Sequence, residues 1–287
     1  MPTPFTKAQG AGNDFIVFDL TASDAPDATQ DWSAIARALC DRHFGIGADG
    51  LLLMLPPSTG APSQAEVRMR VINSDGSEPE MCGNGLRCFV RVIHAQGKVS
   101  GKSIAVETGA GVRQAEILDA SSPEGRDAGF QVRLNMGLPF DQGRDMLPLA
   151  DRRLDVHLVS MGNPHCVSFV EDLDRYPFET LGPLVESHVR FRQRTNAEFA
   201  QVLNRGRIRA KVWERGAGPT LACGTGACAV AVAAVSRGLC DRHVVVDLPG
   251  GSLTIDWTVG GPVFLTGPAE IVFTGQVDLS AFAMAGV

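Results

Sequence analysis

Apolar positions along this chain come in short runs separated by glycine-rich and polar turns. Val67-Arg68-Met69-Arg70-Val71-Ile72-Asn73 and Ile208-Arg209-Ala210-Lys211-Val212-Trp213-Glu214 alternate with period two, the signature of strands with one covered face. Leu51 to Leu55 is continuously apolar and reads as a buried strand, after the glycine-broken turn Phe44-Gly45-Ile46-Gly47-Ala48-Asp49-Gly50. Polar turns lead into two further strands, Gly12-Asn13-Asp14-Phe15 onward and Gly162-Asn163-Pro164-His165 onward. Trp32 to Leu39 predicts a short helix, and 56–64 a loop. Leu86 to Ala95 and Ala227 to Val235 are apolar on nearly every side, with Gly97 and Gly238 placed as stops. A helix apolar all round is buried, so each is expected to run through the middle of its half, wrapped by sheet.

These elements repeat. The strands containing Val71 and Val212 precede Cys82 and Cys223 at the same offset, and Val106-Glu107-Thr108-Gly109 and Val246-Asp247-Leu248-Pro249 follow at nearly the same offset. With the Asn13 and Asn163 turns, the blocks recur in one order, which predicts a duplicated fold of two similar halves. The polar Pro/Gly segment 121–129 marks the seam. The predicted class is α+β, two pseudo-symmetric domains, each a curved and mostly antiparallel sheet around a central buried helix. The runs lack the strand-helix-strand alternation of a doubly wound sheet.

Composition narrows the function. A chain of 287 residues, 44% apolar, buries a substantial core, and its net charge of −6 without basic clusters argues against nucleic acid and anionic membrane as partners. No stretch is apolar enough to span a bilayer and no secretory leader is evident, so a cytoplasmic location is expected. Seven scattered cysteines then read as reduced thiols, and without Cys-x-x-Cys pairs or ligand-spaced histidines no metal site is expected.

Two cysteines stand apart. Met81-Cys82-Gly83-Asn84-Gly85 and Ala222-Cys223-Gly224-Thr225-Gly226 occupy the same place in the repeat, each just ahead of a buried helix. Glycine there lets the backbone approach a ligand, and first-turn amides attract an anion such as a carboxylate while favouring thiolate. Asn84 and Thr225 are placed to cap their helices. Cys40, Cys88, Cys166, Cys228 and Cys240 read as core filler. Two equivalent thiols facing one cleft can invert a stereocentre, one removing a proton while the other returns one from the opposite side. Only four lysines are present, Lys7, Lys98, Lys102 and Lys211, none in a recognisable pyridoxal setting, so a route without cofactor is expected. A thiol–disulfide redox protein fits poorly, because the spacings from Cys82 to Cys88 and from Cys223 to Cys228 are not redox spacings. A non-catalytic carboxylate-binding module would keep the turns but needs no paired thiols.

Together with Asn73-Ser74-Asp75-Gly76-Ser77, Thr195-Asn196 and Trp213-Glu214-Arg215-Gly216, these motifs resemble the diaminopimelate epimerases over essentially the full length; proline racemases and phenazine-type isomerases share the fold but differ in catalytic motifs. The resemblance implies interconversion of LL- and meso-2,6-diaminopimelate in lysine and peptidoglycan precursor biosynthesis. A related amino-acid racemase, proline racemase-like, is the alternative. The likeness further implies residues 1–125 with 275–287 as the half carrying Cys82, residues 126–274 as the half carrying Cys223, and a homodimer. By the same likeness Cys82 and Cys223 are the acid/base pair, Cys82 the donor and Cys223 the acceptor in the LL direction. Gly83, Asn84, Gly224 and Thr225 would hold the reacting carboxylate, and Asn13, Asn73, Asn163, Asn196, Glu214 and Arg215 the rest of the substrate. His165, Glu214 and Asp75 are candidates for support of the thiols. Gly50 departs from relatives that carry glutamine there, removing a side-chain contact.

Overall fold

A computed structural model describes residues 2–22, 25–58, 65–99, 101–119 and 129–283, so most of the expected loop and seam lies outside the described residues. The chain divides into two compact units, residues 1–134 with 268–287 and residues 135–267. The class is mixed α+β, as the patterning predicts.

In the first unit the chain runs β1 (Thr3–Gly10), β2 (Asn13–Asp19), α1 (Trp32–Leu39), β3 (Gly50–Leu55), β4 (Val67–Asn73), α2 (Gly83–Ala95), β5 (Ser103–Thr108), β6 (Gly111–Asp119) and β7 (Gln131–Asn135), whose last residue falls in the second unit. Neighbouring strands pair antiparallel except β2 with β3 and β4 with β5, which are parallel. Parallel neighbours need a crossover, and α1 and α2 supply the two that are required. Leu51, Leu53 and Leu55 join the core cluster with Trp32, Ile35 and Leu39 of α1. Leu52, on the opposite face of β3, lies 3.1 Å from the space beside Gly85 in α2. Helices on both faces explain why this strand is apolar at every position.

The second unit repeats the plan with β8 (Phe140–Pro148), β9 (Arg153–Ser160), β10 (Pro164–Phe169), α3 (Phe178–Glu186), β11 (Asn196–Asn204), β12 (Arg207–Glu214), β13 (Gly218–Thr220), α4 (Gly224–Ser236), β14 (His243–Leu248), β15 (Gly251–Trp257) and β16 (Val263–Pro268). Its parallel pairs, β10 with β11 and β12 with β14, are bridged by α3 and α4. The registers match: Phe15 pairs with Gly50 in one unit and His165 with Asn196 in the other. Helix α3 is absent from the sequence reading because Gly182-Pro183 interrupts its apolar pattern. Its slot in the repeat, matching α1, was the available signal.

The chain closes with β17 (Glu270–Val277) and α5 (Ser280–Ala283), and β17 pairs antiparallel with β1 in the first unit. Helices α2 and α4 begin three residues earlier than the apolar runs predict, at the glycines after each cysteine. Gly97 (φ 66°) and Gly238 (φ 70°) end them in the left-handed conformation, with Lys98 N bonding Ile93 O at 3.1 Å and Leu239 N bonding Ala234 O at 2.9 Å. Helix α2 is buried although Arg87 and Arg91 are fully buried within it. Arg87 Nε donates to Pro268 O at 3.2 Å, and the Arg91 guanidinium lies 4.8 Å from the centre of the Phe130 ring.

Candidate active site

Cys82 and Cys223 are themselves the N-cap residues of α2 and α4, in nearly the same extended conformation (φ −134°, ψ 116° and φ −122°, ψ 112°). This corrects the expectation that Asn84 and Thr225 cap the helices. Both sit inside the first turn instead, because the ladder begins with Leu86 N to Cys82 O at 2.8 Å and Ala227 N to Cys223 O at 2.9 Å. The amides of that turn precede the ladder and are not used by it. Gly85 N donates to Cys82 Sγ at 3.3 Å. A Cβ at Gly226 would stand 3.3 Å from Cys223 Sγ and 2.9 Å from Glu198 Oε1, so glycine there leaves room for both groups.

Around Cys82 the first unit assembles an amide network. Asn13 Nδ2 donates to Asp49 Oδ2 at 2.6 Å, and Asn84 Nδ2 donates to Asn13 Oδ1 at 3.1 Å. Asp49 also accepts from the amide of Asp14 at 3.0 Å, which ties the turn before β3 to the start of β2. Arg42 bridges Asp14 and Asp49 at 2.6 and 2.9 Å, and Lys7 pairs with Asp14 at 2.5 Å. Burial alone would raise the Asp14 carboxyl, but hydrogen bonds from Arg42 and Lys7 hold it below the usual carboxylate range. Asn73 ends β4 and donates to Ser77 Oγ at 2.9 Å. Asp75 is exposed, its carboxylate accepting from the amide and hydroxyl of Ser77 at 2.8 and 2.6 Å. Those contacts assign it to the geometry of its own turn rather than to a thiol. At Gly50 a Cβ would meet Ile72 O at 2.6 Å, so this backbone has no room for a side chain without a shift.

The second unit surrounds Cys223 with a longer chain of groups. His165 and Glu198 are fully buried, His165 Nδ1 meeting Glu198 Oε1 at 2.7 Å. His165 Nε2 contacts Asn163 Oδ1 at 3.0 Å, Asn163 Nδ2 donates to Thr225 Oγ1 at 3.3 Å, and Thr225 Oγ1 lies 3.5 Å from Cys223 Sγ. Asn196 Nδ2 donates to Pro164 O at 3.0 Å, and Asn196 Oδ1 accepts from Arg215 N at 2.9 Å. Glu214 accepts from Thr220 Oγ1 at 2.6 Å. The exposed Arg215 guanidinium donates to Gln193 O at 3.2 Å. Burial pushes the Cys223 thiol well above its ordinary range, and the negative charge of Glu214 pushes the same way; the Thr225 hydroxyl opposes them.

Three carboxylates escaped the sequence reading as partners of the site. Asp49 orients Asn13, Glu198 orients His165, and Glu186 supports the Arg215 turn by accepting from Trp213 Nε1 at 3.0 Å and Gly216 N at 2.8 Å. For Glu198 a signal existed: it is a lone carboxylate inside the apolar strand Asn196-Ala197-Glu198-Phe199. The other cysteines behave as core. Cys40 and Cys88 are buried, and desolvation raises each thiol to about 12. Among the described residues no cluster of three His, Cys, Asp or Glu side chains is arranged to hold a metal ion, and no helix is long and apolar enough to cross a membrane.

Comparison with known proteins gives consistent likenesses. A family model described as diaminopimelate epimerase matches residues 5–138 and 157–272. The diaminopimelate epimerase of Moorella thermoacetica is 47% identical over 290 residues, covering 96% of this chain and 99% of the relative. That of Desulfitobacterium hafniense is 48% identical over 282 residues, covering 94% and 96%. Among solved structures, a phenazine biosynthesis protein of the PhzF family from Bacillus anthracis superposes with a TM-score of 0.73 at 16% identity, covering 97% of this chain and 99% of that one. A hydroxyproline epimerase from Agrobacterium vitis superposes at 0.71 with 15% identity, covering 96% and 92%. At such identities the structures bear on the fold alone.

Proposed function

The chain belongs to the diaminopimelate epimerase family, and from that premise we propose that Cys82 and Cys223 perform the epimerisation of LL- and meso-diaminopimelate by two-base proton transfer without a cofactor. The protein is an isomerase acting on a small molecule. The observation that carries the mechanism is the pair of N-cap cysteines. The same thiol, in the same backbone conformation, opens the same buried helix in both copies of a duplicated fold.

Inversion at a tetrahedral carbon requires one thiolate to take the α-proton and one thiol to give a proton to the opposite face. In the LL to meso direction Cys223 is the acceptor and Cys82 the donor, with roles exchanged in reverse. The first-turn amides at Gly83-Asn84 and Gly224-Thr225 suit the α-carboxylate, where charge develops as the carbon loses its proton. Asn13, Asn73, Asn163 and Asn196 supply amides for the remaining polar groups of a diamino diacid. Glu214 suits an ammonium group and Arg215 a distal carboxylate. His165 acts behind Asn163, whereas Asp75 serves its own turn. The two compact units are taken as the two halves of the catalytic fold, working in the cytoplasm on a precursor of lysine and peptidoglycan.

The experiment is isotope exchange. Enzyme and LL-diaminopimelate in deuterium oxide are expected to give meso product carrying deuterium at the inverted carbon, and Cys82→Ala and Cys223→Ala each to lose turnover by about 100-fold or more, the usual worth of a general base. Inversion without solvent label would sink the two-base reading. A homodimer is proposed on the same family premise, and sedimentation velocity showing only monomer would remove it.

A further inference from the structure

Glu198 orients His165 but takes no part in the proton transfer proposed for the cysteines. Its side chain is fully buried in β11, with Oε1 held by His165 and Oε2 without a hydrogen-bond partner. An ionised carboxylate buried with one satisfied oxygen is costly unless a partner cancels its charge. The groups facing it are His165 and Cys166 from β10, Glu214 from β12 and Cys223 from α4, and Glu214 adds negative charge.

The histidine decides how the chain of contacts beyond it is polarised. Thr225 can donate or accept, so only His165 Nε2 fixes which way the Asn163 amide points. If Nε2 carries a proton, it donates to Asn163 Oδ1. Asn163 Nδ2 then donates to Thr225 Oγ1, and the threonine proton is left for Cys223 Sγ. If Nε2 is bare, the amide turns over, Thr225 donates to Asn163, and the sulfur can only donate. The first sense stabilises the thiolate and the second the thiol. The observed contacts have Oδ1 toward His165 and Nδ2 toward Thr225, the first sense.

A protonated Nε2 beside Glu198 requires a proton between Oε1 and Nδ1, whichever atom holds it. The pair is then neutral overall, as an ion pair or as acid and neutral imidazole. That neutrality also fits the unpartnered Oε2. Gly226 supports the same design, because a Cβ there would come within 2.9 Å of Glu198 Oε1 and displace it.

We infer that Glu198 is a positioning residue for Cys223: by sharing one proton with His165 it keeps Nε2–H aimed at Asn163, so that Thr225 presents a donor to the sulfur. The inference rests on Cys223 acting as one of the two bases, but its test needs no turnover. In the wild-type protein labelled with nitrogen-15 histidine, His165 Nε2 is expected to carry a proton at neutral pH. A bare Nε2 with the proton on Nδ1 would overturn the inference.

Alkylation of Cys223, followed by peptide mapping across pH, gives the second reading. Because the pair is neutral and a Gln amide can still donate to Nδ1, Glu198→Gln removes no net charge, keeps Nε2–H and is expected to leave the alkylation midpoint in place. Glu198→Leu cannot hold that tautomer and is expected to raise the midpoint; an unchanged midpoint in Glu198→Leu would overturn the inference. Glu214→Gln, measured alongside, is expected to lower the midpoint. A fall of about one unit in Glu198→Gln, the size expected for loss of an adjacent anion, would mean that Glu198 is charged and unneutralised and would overturn the inference. If Glu198→Gln does not fold, the wild-type nitrogen-15 spectrum decides alone. Failure of the two-base reading would appear separately, as retained turnover in Cys223→Ala.

Discussion

At the scale of residues, Cys223 is almost wholly buried while Cys82 is partly exposed, and two carboxylates face Cys223. Burial and the Glu214 charge both favour the protonated sulfur, so at rest Cys223 holds the proton that the proposed mechanism has it give in the meso to LL direction. The base role proposed for it in the LL to meso direction therefore strengthens as pH rises. Replacing Glu214 by Gln removes the opposing charge, and the thiolate forms more readily. The expected outcome is a lower pH midpoint for Cys223 alkylation and a rising limb of the LL to meso pH–rate profile shifted the same way. A midpoint that rises or stays fixed would show that Glu214 does not act on this sulfur through its charge. The amide contacts explain why single asparagines were hard to rank from sequence. Asn13 and Asn163 each lie beside a glycine, where turn chemistry is the ordinary explanation, and only their partners Asp49 and His165 distinguish them.

Among the elements, the two buried helices differ in composition yet end alike. Helix α4 consists almost wholly of small apolar residues, whereas α2 buries Arg87 and Arg91 by satisfying or stacking their guanidinium groups. Both stop at a glycine in the left-handed region, and a Cβ at Gly97 or Gly238 would meet nothing within 4 Å. The cost of a side chain there is therefore backbone strain alone. Gly238→Ala is expected to lower unfolding free energy by about 1 kcal/mol, read from denaturant melts, with turnover unchanged. A loss several times larger would point to packing rather than φ. The sequence placed both stops but not the starts, because Gly83-Asn84-Gly85 and Gly224-Thr225-Gly226 have poor helix propensity and read as turns. They are helical because the carbonyl of the cysteine before each accepts the first helical hydrogen bond and the sheet packs against the helix.

For the whole molecule, the C-terminal segment belongs to the first unit, with β17 on β1 and Pro268 O receiving the buried Arg87. Ending the chain at Gly267 would leave β1 without that neighbour and Arg87 without that acceptor. Loss of the cooperative thermal transition of the first unit, followed by circular dichroism, is the expected result; an unchanged melt would show that β17 is dispensable. Much of the architecture was legible beforehand, because side-chain periodicity is local: the strands at 67–73 and 208–214, the helix at 32–39, both buried helices and the repeat relating the two units follow from the order of apolar and polar residues. The cysteine pair was legible for the same reason, as two copies of one motif in one register. Tertiary structure alone decided which carboxylates stand behind which amide and imidazole side chains. Asp49 reaches Asn13, and Glu198 reaches His165, across parallel strand pairs whose members are separated in sequence by a helical crossover. Such a contact leaves no period in the chain, and its charge matters only once burial has removed the water that would otherwise screen it.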